Sequence, residues 1–164
     1  MDRVAGKRVA VIGAGSVGAG WGNGKAAAIT YAREGARVLC VDRNSDAANE
    51  TVAIIQGEGN TAQACVGDMT DESDVAACLA AIQDNFGGID ILHFNVGISA
   101  KGGVADQALA DWNRIFAVNL TAAMLVSRAI LPGMKQQRGG ALVFISSLAA
   151  QRASMVPMGR QGTV

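Results

Sequence analysis

Six glycines fall within the fourteen residues G-A-G-S-V-G-A-G-W-G-N-G-K-A (13–26), directly after the apolar run R-V-A-V-I (8–12). A strand that turns through glycines into a helix aims backbone N–H groups at an anion. Two registers compete for that role. Read from its front, the segment is G-x-G-x-x-G (Gly13, Gly15, Gly18); read from its back, Gly22 and Gly24 stand before K-A-A-A-I-T-Y-A-R-E. A helix begun at Gly18 would carry Gly20, Gly22 and Gly24 through its first turns, at roughly 1 kcal/mol each and about 3 kcal/mol in all. A helix begun at Gly24 carries none of that cost. The acidic residue closing the second strand gives a separate measure, since it normally lies about 20 residues beyond the glycines. Asp42 lies 18 residues after Gly24. The helix therefore starts near Gly24, and Gly13–Gly24 is one widened phosphate loop.

The rest of the chain repeats the alternation. R-V-L-C-V (37–41), A-Q-A-C-V (62–66), I-D-I-L-H-F-N (89–95) and A-L-V-F-I (141–145) read as strands, most of them apolar nearly throughout. That is the pattern of parallel strands covered on both faces. Helical patterns occupy about 24–34, 45–57, 71–86 and 108–137. In the third, Thr70 is the expected cap and Asp71, Glu72 and Asp74 sit in the positive first turn. Val75, Cys78, Leu79, Ile82 and Phe86 make its buried stripe, and Gly87-Gly88 ends it. In the fourth, Trp112, Ile115, Phe116, Ala122, Ala123, Val126, Ala129 and Ile130 form one stripe, with Asn119 on that buried face. A buried amide must be hydrogen-bonded, so Asn119 is at least a brace. The expected fold is a single α/β domain spanning 1–164, a Rossmann-type doubly wound parallel sheet with strand order 3-2-1-4-5.

Composition narrows the partners. Fourteen basic and fourteen acidic residues balance, which removes the electrostatic case for nucleic acid or an anionic membrane. No apolar stretch approaches the length of a membrane span, and M-D-R-V-A-G-K-R has no apolar core of a signal peptide. Cys40, Cys65 and Cys78 lack C-x-x-C spacing and fall in apolar strands or on a helix face, as buried thiols in a reducing cytoplasm do. No metal site is expected. His93, at a strand end, reads as a packed side chain with no assigned role.

On these motifs the chain resembles the short-chain dehydrogenase/reductase family, whose usual loop is T-G-x-x-x-G-x-G. Gly13, Gly22 and Gly24 match its glycines with five residues inserted, and the stretch from Gly22 to Asp42 follows without a gap. The loop is similar to that of a subgroup carrying a G-W-G-N-G-K insertion. Ile12 and Asn23 depart from the family pattern. The resemblance implies cofactor-binding roles for Gly13, Gly22, Asn23, Gly24, Asp42, Asp68, Asn95 and Gly97. Asp42 would take the adenosine ribose hydroxyls and repel a 2′-phosphate, favouring NAD over NADP, although the neighbouring Arg43 could accept that phosphate. Asp68, in G-D-M-T-D (67–71), would meet the adenine. Asn95 and Gly97 belong to F-N-V-G, where Phe94 replaces the first asparagine of the family's N-N-A-G. Asn119, in W-N-R-I-F-A-V-N-L, matches the asparagine that braces the fold and holds water in a proton relay. Ser147, in I-S-S-L-A-A, matches the serine that binds the substrate's reacting oxygen. The implied activity is hydride transfer between NAD and a small-molecule alcohol/carbonyl pair.

The resemblance then stops. The family's acid/base is the tyrosine of Y-x-x-x-K, about a dozen residues past that serine; here Arg160 stands about there. No tyrosine follows Tyr31 and no lysine follows Lys135. A phenol near pKa 10 can be lowered by adjacent positive charge, whereas arginine gives up no proton near neutral pH. The chain resembles roughly the N-terminal two-thirds of a family member, so it is expected to be a truncated or inactive form. A fragment, a shifted reading frame and a pseudoenzyme all fit, and the coding DNA past codon 164 separates them. Two rivals stand beside the dehydrogenase reading. One is a non-catalytic nucleotide-binding module. The other is an open-loop enzyme of the hydroxyacyl-CoA dehydrogenase kind built on Gly13-Gly15-Gly18, against which the later glycines and landmarks count. Finally, the run 141–145 would leave an uncharged, unpaired sheet edge, and self-association is expected.

Overall fold

The computed structural model describes residues 2–147. Its strands β1 (Arg8–Ile12), β2 (Arg37–Asp42), β3 (Ala62–Val66), β4 (Ile91–Phe94) and β5 (Ala141–Phe144) form one parallel sheet in the expected order β3-β2-β1-β4-β5. The helices are α1 (Asn23–Arg33), α2 (Ser45–Gly57), α3 (Glu72–Phe86), α4 (Leu109–Phe116) and α5 (Ala122–Gln136). Alternation along the strands divides the core between the two faces. Ala10, Ile12, Leu39 and Val41 pack with α3 and α5, through Val75, Cys78, Ile82, Leu125, Val126 and Ile130. Val9, Val11, Val38 and Cys40 pack with α1 and α2, through Ala28, Ile29, Ala32, Val52 and Ile55. β1 is buried along nearly its whole length, as a central strand covered on both sides must be.

Local chemistry corrects several expectations. β4 is shorter than 89–95, because Asp90 turns aside to pair with Arg8 and Asn95 leaves the sheet after its N–H bonds Ile12 O at 2.9 Å. The cap of α3 is Asp71, not Thr70. Its carboxylate accepts the N–H groups of Ser73 and Asp74, and a charged acceptor suits the positive helix end better than a hydroxyl. Thr70 instead donates its hydroxyl to Asp68 Oδ1 at 2.7 Å. Leu79 is only half-buried on the α3 stripe.

The long fourth helix differs most from expectation. A π-helical turn at Ala117–Thr121 joins α4 to α5, and the whole, Leu109–Gln136, is long and apolar enough by length and composition to cross a membrane. This corrects the expectation that no apolar stretch approaches that length: Asp111, Arg114 and Asn119 interrupt the apolar sequence without breaking the helix. Only its second half is built into the core, where α5 lies along α3. α4 buries no residue, so Trp112 and Phe116 are exposed instead of lying in a buried stripe, and their rings stack on each other at 4.9 Å.

Candidate functional site

Because all five strands run the same way, their carboxyl ends share one edge of the sheet. Gly13, Asp42, Asp68, Asn95 and Ser147 all follow those ends, so the fold collects on one edge what the sequence spreads over 135 residues. Strand order reverses between β1 and β4, and a crevice at such a reversal is where doubly wound sheets bind ligands. The loops after these two strands touch. A Cβ on Gly13, which has φ +78°, would stand 3.0 Å from Val96 Cγ2.

The glycines have steric reasons to be there. Gly22 caps α1 with no side-chain acceptor, so the first N–H groups of the helix keep their capacity for an outside anion. Gly24 is the second residue of the helix, packed so that a Cβ would overlap the carbonyl oxygen of Gly13 and come within 2.9 Å of Asn95 Nδ2. Asn23 is the exposed first residue of the helix. The helix thus begins within two residues of the expected Gly24. Of the front register, Gly18 has nothing within 4 Å of a Cβ, whereas Gly22 and Gly24 of the back register both meet the loop. These contacts pack the loop without room for a side chain, and the α1 N-terminus, free of a side-chain acceptor, fits the pyrophosphate of a dinucleotide.

Asp42 closes β2 and braces the loop. Its Oδ2 accepts the Gly15 N–H at 2.9 Å and its Oδ1 accepts the Asn44 N–H at 3.0 Å. A carboxylate offers about four acceptor positions, so capacity remains for a ribose diol. Asp68 is exposed, and its Oδ1 accepts the N–H and hydroxyl of Thr70. Those bonds hold its carboxyl below the usual range, with Arg43 nearby contributing in the same direction. Across the crevice, Asn119 is exposed in the π-helical turn, not buried as its stripe implies. Among the described residues, neither α4 nor the π-helical turn after it buries a side chain. Its amide nevertheless clasps one residue from both sides: Oδ1 accepts the Ile98 N–H at 2.8 Å and Nδ2 donates to Ile98 O at 2.9 Å. That pair ties the loop after β4, including the exposed Gly97, to the long helix. Ser147 is exposed, three residues past β5. Arg160 and the expected location of the acid/base lie outside the described residues.

Four residues that sequence reasoning passed over also organise this edge. Ser16 donates to Gly20 O at 3.0 Å and accepts from Gly22 N–H at 2.8 Å. Thr51, fully buried on α2, donates to Ala14 O at 2.8 Å. Lys25 reaches Gly20 O and pairs with Glu50. A string of glycines signals the loop, but nothing in the linear sequence signals the α2 side chains that fasten it. His93 packs edge-on against Tyr31, 3.3 Å from ring nitrogen to hydroxyl, and burial lowers its pKa.

The family model for short chain dehydrogenase matches residues 8–158. The chain belongs to the short-chain dehydrogenases. It is 37% identical over 139 residues to an uncharacterised oxidoreductase of Bacillus subtilis, covering 84% of this chain and 50% of that protein. It is also 37% identical over 140 residues to 7α-hydroxysteroid dehydrogenase of Escherichia coli, covering 84% of this chain and 54% of the relative. Among solved structures, a short-chain dehydrogenase/reductase from Burkholderia xenovorans aligns with a TM-score of 0.89 at 39% identity, over 93% of this chain and 60% of that one. A 7α-hydroxysteroid dehydrogenase solved with NADH and 7-oxo glycochenodeoxycholic acid aligns with a TM-score of 0.86 at 35% identity, over 93% and 57% of the two chains. This short-chain dehydrogenase chain spans about half the length of the curated relatives it matches.

Proposed function

We propose that this chain is the dinucleotide-binding part of a short-chain dehydrogenase that transfers hydride between NAD and a small-molecule alcohol/carbonyl pair. The observation that carries the reading is the N-terminus of α1, free of any side-chain acceptor, whose Gly24 is pressed against Gly13 and beside Asn95 at the reversal of strand order. NAD supplies the hydride acceptor when bound. The chain's own residues bind and orient it: Gly13, Gly22, Asn23 and Gly24 along the pyrophosphate, Asp42 on the ribose, Asp68 toward the adenine, and Asn95 and Gly97 lining the floor. Asp42 favours NAD over NADP because its charge repels a 2′-phosphate. Ser147 holds the reacting oxygen of the substrate. Asn119 fixes the loop after β4 and sits where a proton relay passes. The three unpaired thiols suit a reducing cytoplasm.

The sequence favours a second statement about these 164 residues by themselves. With no tyrosine after Tyr31 and no lysine after Lys135, they hold no proton donor of the family type next to Ser147. Titrating the purified chain with NADH, read by tryptophan fluorescence, is expected to show saturable binding. Incubation with NADH and a panel of ketones is expected to show no oxidation of the cofactor. Absence of binding overturns the first statement, and turnover abolished by Ser147→Ala overturns the second.

A further inference from the structure

Lys25 occupies an unusual place for a cation. It sits in the first turn of α1, where the helix dipole already concentrates positive charge, and it is 1% exposed. A buried ammonium persists only when its donors are met. Here Nζ donates to Gly20 O at 3.0 Å and lies 2.9 Å from Glu50 Oε1, on α2. Gly20 O also accepts from Ser16 Oγ. One carbonyl in the middle of the widened loop is therefore held by two donors, one of them charged.

The direction of that carbonyl has consequences. In a trans peptide the C=O and the following N–H point opposite ways. A loop that receives an anion must turn its carbonyl oxygens away and its N–H groups outward. Gly20 has φ +114°, a region glycine enters readily, and without a Cβ its peptide can take other orientations unless something fixes it. We propose that Lys25 is a positioning residue of the phosphate loop. By drawing the Gly20 carbonyl toward its ammonium, it keeps the widened loop open to a pyrophosphate. Glu50 is its counter-ion and holds the ammonium at that point. The inference rests on the dinucleotide reading above and adds a residue that contacts the loop and not the cofactor.

The test separates pyrophosphate binding from adenosine binding, which the Asp42 and Asp68 side of the site provides. Wild type, Lys25→Met and Glu50→Gln are compared for NADH, ADP-ribose and adenosine by titration calorimetry, with thermal melts to establish folding. Losing one charge-assisted bond is expected to weaken NADH and ADP-ribose about tenfold in Lys25→Met and leave adenosine unchanged. Glu50→Gln, a substitution at a largely exposed side chain, is expected to show the same selectivity with a smaller loss, and it decides the matter if Lys25→Met does not fold. Equal losses for all three ligands would reduce Lys25 to a structural role, and no loss would remove the role altogether; either result overturns the inference. Wild-type protein that binds neither NADH nor ADP-ribose overturns the dinucleotide reading instead.

Discussion

Asp42 performs two tasks with one carboxylate. It anchors Gly15 and Asn44 through their N–H groups, and in the proposed complex it receives the ribose hydroxyls. Gly15 has no room for a side chain, since a Cβ would come 2.8 Å from Asp42 Oδ2 and 2.5 Å from the Ala47 methyl. Loop and carboxylate are thus fitted to each other before any ligand arrives. Removing the carboxylate loses the ribose bonds and also frees the loop. Asp42→Ala is expected to weaken NAD by at least tenfold, and to weaken NADP less, because the repulsion of the 2′-phosphate disappears as well. Calorimetry with both cofactors checks this; unchanged affinities would separate Asp42 from the cofactor.

At the scale of elements, the edge of the sheet away from the site is closed by one ion pair. Arg8, at the start of β1, donates Nε and Nη2 to the two oxygens of Asp90, each at 2.8 Å, and its other contacts are Gly87 O and the Gln137 side chain. It thereby ties the α3–β4 turn and the α5–β5 turn to β1. The guanidinium holds the Asp90 carboxyl down at about 2. An unfolded aspartate titrates near 3.9, so this contribution is complete above about pH 5 and is lost as pH falls through the unfolded value toward 2. Since water reaches the pair in part, the contribution is on the order of 1–2 kcal/mol. Asp90→Asn is expected to lower the melting temperature at pH 7, with the deficit shrinking as pH falls toward 2 and vanishing below it; an equal deficit across that range would exclude the ion pair as the cause. Such a network was not legible in the sequence, because Arg8, Asp90 and Gln137 have no periodic relation. The strands were legible because burial on both faces forces continuous apolar runs, and the register of the glycine loop because interior glycines cost a helix stability. The exposure of Asn119 was not, because helical periodicity shows which residues share a face and not whether anything covers that face.

For the molecule as a whole, the exposed apolar surface is unevenly distributed. Among the described residues β5 pairs only with β4, so its other row of backbone groups has no partner strand. Phe144 is 48% exposed and Ile145 47%. Along the long helix, Leu109, Trp112, Phe116, Leu120 and Met124 recur every three or four residues and are all exposed, which makes them one stripe. An uncharged strand edge templates pairing with another chain, and a contiguous apolar stripe adds buried area to whatever contact forms. The formal charge of zero leaves no net repulsion to oppose it. The 164-residue chain is therefore expected to self-associate, with an apparent mass in light scattering that rises with concentration. Val143→Lys puts a charge on the edge strand and is expected to shift the distribution toward monomer, provided a thermal melt shows the sheet intact. Phe116→Ser on the helix then separates the two surfaces: a larger shift than that of Val143→Lys assigns the contact to the stripe and a smaller one to the edge. Wild-type protein that stays monodisperse and monomeric across the concentration series would overturn the expectation for both surfaces.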